Sequence, residues 1–157
     1  DISDVAINTA QIHAKKTNCD VTYINGEAEE LLPEKKEAFD VVTCLEAIEH
    51  VPDPQQLVKT CSDLCKPGGT IVFSTINRNP KSFLFAIIGA EYILNLLPKG
   101  THEFKKFIKP SELSNMMRNS NLEVKEIIGM SYNPFTKKYW LGKDVDVNYL
   151  IHAEKSK

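Results

Sequence analysis

The sequence predicts an α/β fold with a mostly parallel sheet and a late antiparallel strand, and three observations support this. The run FDVVTCL (39–45) is almost continuously apolar, which is typical of a strand buried on both faces. An amphipathic helix pattern (54–64) and a second apolar run (70–76) follow it directly. Because strand, helix and strand alternate, the first two strands are expected to be parallel. Two further strand patterns, 122–130 and 145–154, close the chain and supply the antiparallel part.

The helices are predicted from residue spacing and end signals. In PQQLVKTCSDL (54–64) the apolar residues fall on one face, and proline stands in the first turn. A short helix is expected over 2–16, with Ser3 as its N-cap, and another over 110–120. The β-branched run VTYIN (21–25) is predicted to be a strand that ends at the following glycine.

Composition limits the function classes. The chain has 157 residues, of which 42% are hydrophobic and 25% charged, so one globular domain is expected. Its formal net charge is −2, and its lysines and arginines are dispersed along the chain, which argues against a nucleic-acid partner. The longest apolar stretch, Phe83–Leu97, is shorter than the roughly 20 residues that cross a bilayer.

The segment CLEAIEH (44–50) is the candidate site. It follows the FDVVT strand directly, and ligands of open α/β sheets bind beyond the carboxyl ends of the strands. If residues 46–50 begin a helical turn, Glu46, Glu49 and His50 share one side and converge. Such a cluster could act as a general base toward an acidic hydroxyl, or hold Mg²⁺ that lowers the pKa of a bound phenol. A solvated turn, in which Glu49 merely favours a helix start, is the plain alternative.

The order of these motifs resembles a known enzyme family. FDVVTCLEAIEHVPDP, a helix and then LCKPGGTIVFSTINR resemble the class I methyltransferases that use S-adenosylmethionine. Within that class the chain resembles the ubiquinone biosynthesis O-methyltransferases, through NRNPKS, GAEYI, PKGTH, KKFIKPSEL, YNPF and VNYL. The resemblance implies O-methylation of polyprenylated catechol and hydroquinone intermediates, including the conversion of demethylubiquinol to ubiquinol and the earlier catechol step.

The resemblance also implies roles for particular residues. Glu46, Glu49 and His50 match the family's E-x-x-E-H positions, which are associated there with Mg²⁺ near the substrate. Leu45 matches a position that lines the cofactor pocket. Asp1 matches the acidic residue that accepts hydrogen bonds from the ribose hydroxyls of S-adenosylmethionine.

One part of the family's pattern is not found in this sequence. None of the 7 glycines forms the glycine-rich turn that follows the first strand in this class. We therefore expect residues 1–157 to form a partial methyltransferase domain, with a Rossmann-like sheet that lacks the first strand, the cofactor loop and most of the second strand. In the family's strand order, 3-2-1-4-5-7-6, this loss would leave VTYIN (21–25) and the outer edge of FDVVTCL (39–45) unpaired. The chain alone is then expected to be marginally stable and inactive.

An apolar insertion is expected at about 78–108; its pattern alone favours a helix packed on the sheet, whereas the resemblance implies contact with a membrane surface. Phe83–Leu97 is apolar apart from a strip made by Glu91 and Asn95, with basic residues at both ends, which suits an interfacial helix or a lid over an apolar substrate. A helix packed on the sheet is the alternative. The resemblance favours a location in the bacterial cytoplasm at the inner membrane, or else at the matrix face of the mitochondrial inner membrane. Other enzymes of ubiquinone biosynthesis are further candidate partners.

Two other functions stay open. The chain could be a membrane-associated fragment that lacks the cofactor and does not catalyse. It could also be an O-methyltransferase that acts on a phenol without a lipid tail.

Overall fold

The computed structural model describes residues 1–82, 104–133 and 136–157. The predicted insertion therefore lies largely outside the described residues. In the described ranges no helix combines the length and apolarity that crossing a membrane requires. The helices are α1 (Asp4–Thr17), α2 (Leu32–Lys35), α3 (Pro54–Leu64), α4 (Pro80–Ser82) and α5 (Pro110–Arg118), and the strands are β1 (Phe39–Leu45), β2 (Cys65–Ile76), β3 (Leu122–Asn133), β4 (Lys138–Gly142) and β5 (Asn148–Lys155). Short 3-10 turns lie at Ala28–Leu31, Ile48–His50 and Phe104–Lys106.

The five strands form a sheet in the order β1-β2-β5-β3-β4. β1 and β2 are parallel, while β2–β5, β5–β3 and β3–β4 are antiparallel. The predicted α/β class is confirmed, although only one of the four strand pairings is parallel, because β5 lies between two strands that run in the same direction. In their spatial order across the sheet, β1, β2, β5 and β3 match the 4-5-7-6 part of the family's strand order.

The core lies between one face of the sheet and the helices α3 and α5. Phe73 of β2 and Ile151 of β5 are opposite each other in the register and fully buried. Val58 of α3 and Leu113 of α5 belong to the same buried cluster. Each fully buried side chain of this kind stabilises the fold by about 1.5–3 kcal/mol. Packing against α3 and α5 therefore stabilises the central strands β2 and β5.

The predicted helices are confirmed, with small shifts at their ends. α3 has the predicted bounds, and the Asp53 carboxylate caps it by accepting the Gln56 N–H at 3.0 Å. α1 begins after Ser3, whose hydroxyl accepts the Ala6 N–H at 3.3 Å as expected of an N-cap.

The strand predicted for VTYIN (21–25) is wrong: this segment is irregular. Its backbone contacts include two hydrogen bonds with Asp1, from the Asp1 amine to the Ile24 carbonyl at 3.2 Å and from the Gly26 N–H to the Asp1 carbonyl at 3.1 Å. Val21 and Ile24 are exposed. A strand requires a continuous partner, and among the described residues no strand pairs with this segment or with the outer edge of β1.

The β3–β4 hairpin is not predicted by the sequence pattern. The second half of β3 pairs with β4, and the rings of Tyr132 and Tyr139 stack at 4.4 Å between centroids. Gly129 stands where the chain returns close to β3, since a Cβ at this position would lie 1.7 Å from the Asp144 carbonyl oxygen. β5 begins at Asn148 rather than at residue 145.

Candidate active site

The carboxyl ends of β1 and β2 lie at the same edge of the sheet, because these strands are parallel. Directly after β1, Glu46 has a left-handed backbone with φ 52°, which is uncommon for a residue other than glycine. Its N–H donates to Ser74 on β2, at 3.1 Å to the carbonyl and 3.1 Å to the hydroxyl. β2 therefore holds the backbone of this turn in a conformation that the local sequence alone does not favour.

The two glutamates of the turn are bound to successive residues of β2. The Ser74 hydroxyl donates to Glu46 Oε1 at 2.7 Å, and the Thr75 hydroxyl donates to Glu49 Oε2 at 2.8 Å. Side chains of successive strand residues point to opposite faces of a sheet. The carboxylates of Glu46 and Glu49 are therefore anchored on opposite faces.

Glu49 occupies the more restricted position of the two. It lies in the 3-10 turn Ile48–His50, and Ile48 is fully buried. The Glu49 side chain is itself only 3% exposed, and its Oε1 atom is buried without a hydrogen-bond partner among the described residues. A buried carboxylate oxygen without a donor is unfavourable by about 1–3 kcal/mol or more. A hydroxyl of a bound molecule that donates a hydrogen bond to Oε1 would therefore gain the most binding free energy.

The expected convergence of Glu46, Glu49 and His50 is wrong. The expectation required one helical turn, whereas the left-handed Glu46 separates the end of β1 from a turn that begins only at Ile48. His50 is exposed, unlike Glu49. In the part of the chain that the structure describes, no three histidine, cysteine or acidic side chains form a group able to hold a metal ion. The residues as arranged therefore do not fit Mg²⁺, which requires near-octahedral oxygen ligands.

Tyr149 forms part of the wall behind Glu49. It lies opposite Thr75 in the β2–β5 register, is fully buried, and donates its hydroxyl to the Ile108 carbonyl at 2.8 Å. Burial, followed by the negative charges of Glu112, Glu49 and Glu46, raises the pKa of Tyr149. The phenol therefore stays protonated and acts as a structural donor behind the hydrogen bond between Thr75 and Glu49.

The two residues predicted to contact the cofactor are both exposed. Leu45 ends β1 at the carboxyl edge, so its side chain offers apolar surface there. The Asp1 carboxylate accepts the Ser3 N–H at 2.8 Å through Oδ1. An exposed carboxylate with a second oxygen available fits the recognition of vicinal hydroxyls, and an apolar side chain fits the face of a purine base.

Ser74 and Thr75 were missed by the sequence interpretation. Both are buried, and both bind a glutamate of the turn. The signal was present in TIVFSTI (70–76), where two successive hydroxyl residues interrupt an apolar strand near its carboxyl end. At that edge of an α/β sheet, polar residues in a strand are candidates for a site.

Comparisons with known proteins agree with this architecture. A family model described as a methyltransferase domain matches residues 1–127. The ubiquinone biosynthesis O-methyltransferase of Marinobacter nauticus is 55% identical over 159 aligned positions, which cover 100% of this chain and 67% of that protein. The protein of the same name from Nitrosospira multiformis is 56% identical and is covered to 63%, with 96% of this chain. The chain thus spans about two thirds of the length of these curated relatives.

Solved structures support the fold. A methyltransferase of Methanosarcina mazei that depends on S-adenosylmethionine has a TM-score of 0.67 at 17% identity, with 99% of this chain and 80% of that chain covered. A similar enzyme of Thermotoga maritima has a TM-score of 0.67 at 19% identity, with 91% and 69% covered. These matches show the fold. The family model and the curated relatives establish that the chain belongs to the S-adenosylmethionine-dependent methyltransferases, in the family of the ubiquinone biosynthesis O-methyltransferases.

Proposed function

We propose that the complete protein transfers the methyl group of S-adenosylmethionine to a phenolic hydroxyl of a polyprenylated catechol or hydroquinone in ubiquinone biosynthesis. The family assignment supports the reaction class. The observation that carries the chemical proposal is Glu49, which has one oxygen bound by Thr75 and the other buried without a partner at the carboxyl edge of the sheet.

In this proposal Glu49 is the general base. Its Oε1 accepts the proton of the substrate hydroxyl as the phenolic oxygen attacks the methyl carbon in line with the sulfur. When bound, S-adenosylmethionine would supply the methyl group, so that the new oxygen–carbon bond would form as the carbon–sulfur bond breaks, with S-adenosylhomocysteine as the leaving product. Thr75 keeps the other carboxylate oxygen in place, so the orientation of Oε1 is set before the substrate binds.

Glu46 and His50 have different proposed roles. The Glu46 carboxylate and N–H both bind Ser74, so Glu46 holds the turn that carries Glu49 and borders the site on the opposite face. His50 is next to Glu49 in the chain and exposed, and we assign it to the rim of the substrate site. Asp1 and Leu45 would bind the ribose hydroxyls and the base of the cofactor, respectively.

Magnesium is the alternative means of producing the phenolate, since a bound cation lowers the pKa of a coordinated phenol. The described arrangement of Glu46, Glu49 and His50 favours the general base instead. A chelator distinguishes the two. Methyl transfer that persists in EDTA supports the direct base, while a rate that is lost in EDTA and restored by Mg²⁺ supports the metal.

The deciding experiment measures methyl transfer by the complete protein and its Glu49→Gln variant on a short-tailed catechol. Because glutamine has the shape of glutamate but cannot accept the proton, we expect a rate about 100- to 10,000-fold lower. Binding of S-adenosylhomocysteine, measured by calorimetry, should be unchanged. Glu34→Gln, at an exposed position of α2, is the matched control and should keep the wild-type rate. A wild-type rate in Glu49→Gln would exclude the proposed base.

The lipid tail of the substrate suggests a membrane partner and location. We propose contact with the membrane surface through Phe83–Leu97, supported by the apolar sequence and by the exposed Lys105 and Lys106 just beyond it. The bacterial relatives favour the cytoplasmic side of the inner membrane. A series of catechols with increasing tail length tests this. A rate that rises with tail length supports the lipid substrate, and indifference to the tail would favour a phenol without one.

A further inference from the structure

The far end of the sheet exposes an unusual amount of apolar surface. On β4, Tyr139, Trp140 and Leu141 are 66%, 51% and 60% exposed. In the β3–β4 register, Met130 is opposite Leu141 and Tyr132 is opposite Tyr139. Directly opposed residues of antiparallel strands share a face, so Met130, Tyr132, Tyr139 and Leu141 form one exposed apolar face, which we call the hairpin face. Trp140 is opposite Ser131 and lies on the other face of the hairpin. Exposed apolar residues grouped in this way indicate an interaction site more strongly than isolated ones.

The charged side chains of the hairpin are all basic. Residues 130–143 include Lys137, Lys138 and Lys143 but no aspartate or glutamate, although the whole chain has a net charge of −2. The three lysines are at or next to the exposed ends of β4. The acidic residues that follow, Asp144 and Asp146, are bound by the Lys81 ammonium at 3.1 and 3.0 Å. The lysines of the hairpin are thus available to a partner of opposite charge.

The hairpin also has a definite place relative to the candidate site. β3 is antiparallel to β5, and β5 is antiparallel to β2, so β3 ends at the same edge of the sheet as β2. That edge carries the turn with Glu49. β4 is the last strand of the sheet, at the opposite end from β1, so an unpaired edge of β1 does not account for the exposure of the hairpin face.

We propose that the hairpin face docks on the surface of an anionic lipid bilayer. The tyrosines of the face, Tyr132 and Tyr139, favour the headgroup region, where the ring is in an apolar environment and the hydroxyl stays hydrated. Lysines close to such a surface each strengthen binding about fivefold through attraction to anionic headgroups. The combination of aromatic residues with lysines and without acidic residues fits this occupant better than a second copy of this chain, whose hairpin would bring like charges together.

This surface is separate from Phe83–Leu97 and adds a second contact with the membrane. If the proposed function holds, docking by the hairpin turns the carboxyl edge of the sheet, with Glu49, toward the lipid in which the prenylated substrate is dissolved. Only this consequence rests on the proposed function. The docking itself depends on the exposed residues and charges of the hairpin.

The test is flotation of the complete protein with vesicles of phosphatidylglycerol and phosphatidylcholine in equal parts, and with vesicles of phosphatidylcholine alone. We expect binding to the anionic vesicles that weakens at high salt. Lys137→Glu/Lys138→Glu should lower the partition coefficient at least about tenfold. Lys15→Glu/Lys16→Glu changes the net charge equally on exposed residues of α1 and is the matched control, with unchanged partition expected. Tyr139→Ser/Leu141→Ser should weaken binding even at high salt, because it removes the apolar contribution of the hairpin face.

Two results would overturn the docking proposal. The first is unchanged partition of both hairpin variants, which would assign all binding to other surfaces. The second is a concentration-dependent dimer that is lost in Tyr139→Ser/Leu141→Ser while flotation is unaffected, which would make the hairpin face a contact between copies. Methyl transfer to a soluble short-tailed catechol is measured in parallel. If this transfer is absent in the wild type but flotation depends on the hairpin, the proposed function fails and the docking proposal stands.

Discussion

The turn after β1 and the β3–β4 hairpin lie at the same edge of the sheet. Each departs from the rule that polar side chains are exposed and apolar side chains are buried, but in opposite ways. The turn buries a carboxylate, Glu49, with one oxygen unpartnered, while the hairpin exposes Tyr139, Trp140 and Leu141. Both arrangements are unfavourable for an isolated folded chain, since buried polar groups need partners and apolar groups favour burial. Where such departures occur together at a ligand-binding edge, function explains them better than stability does.

The largest effect on stability is expected at Gly129 of β3, where the segment that follows β4 passes close to the backbone. In Gly129→Ala the added Cβ would lie 1.7 Å from the Asp144 carbonyl oxygen, so the backbone must shift. We expect a decrease of about 2–3 kcal/mol in the free energy of unfolding, measured by urea denaturation. Gly142→Ala is the control, because its Cβ would meet only the Trp140 ring at 4.0 Å and should change stability by less than about 0.5 kcal/mol. Equal effects in the two variants would show that the close approach to Asp144 is not what keeps the hairpin in place.

A smaller effect, on catalysis, is expected at the turn. Thr75→Val removes the hydroxyl that binds Glu49 Oε2, so the carboxyl group loses the contact that sets its orientation. We expect kcat to fall about tenfold with little change in KM, together with a stability loss of about 1–2 kcal/mol. Thr75→Ser restores the hydroxyl and should recover most of kcat. If Thr75→Ser were as slow as Thr75→Val, packing of the methyl group rather than the hydrogen bond would be responsible.

The smallest effect is expected at Asp40, whose carboxylate is exposed and paired, whereas that of Glu49 is buried. Asp40 is exposed, and the hydrogen bond and charge of Lys66 lower its pKa from the ordinary 3.8. A carboxyl whose pKa is lowered by folding stabilises the protein above its unfolded pKa, and this contribution is lost as the pH falls through the folded pKa. The melting temperatures of wild type and Asp40→Asn should therefore differ slightly at neutral pH and converge below about pH 4. High salt should reduce the difference at neutral pH, and a gap that widens in acid would contradict this assignment.

Prediction from sequence succeeded where one element could be recognised by its own pattern. The bounds of α3, the cap at Ser3 and the runs that became β1 and β2 all follow from local periodicity and end signals. It failed for VTYIN (21–25), whose pattern is that of a strand but which has no partner strand among the described residues. It also failed for the β3–β4 hairpin, whose turn and exposed aromatic residues do not show the alternation of a half-buried strand.

The sequence by itself determined the fold class, the family and the position of the candidate site, because apolar periodicity and motif order are properties of neighbouring residues. Only the tertiary structure decided what that site contains. Ser74 and Thr75 come from another strand, and their side chains hold Glu46 and Glu49 on opposite faces instead of letting them converge. Spacing along a chain predicts which residues are close within one helix or strand, but the parallel register of β1 and β2 sets which donor meets each carboxylate. For that reason one oxygen of Glu49 is buried without a partner, a feature that no local pattern contains.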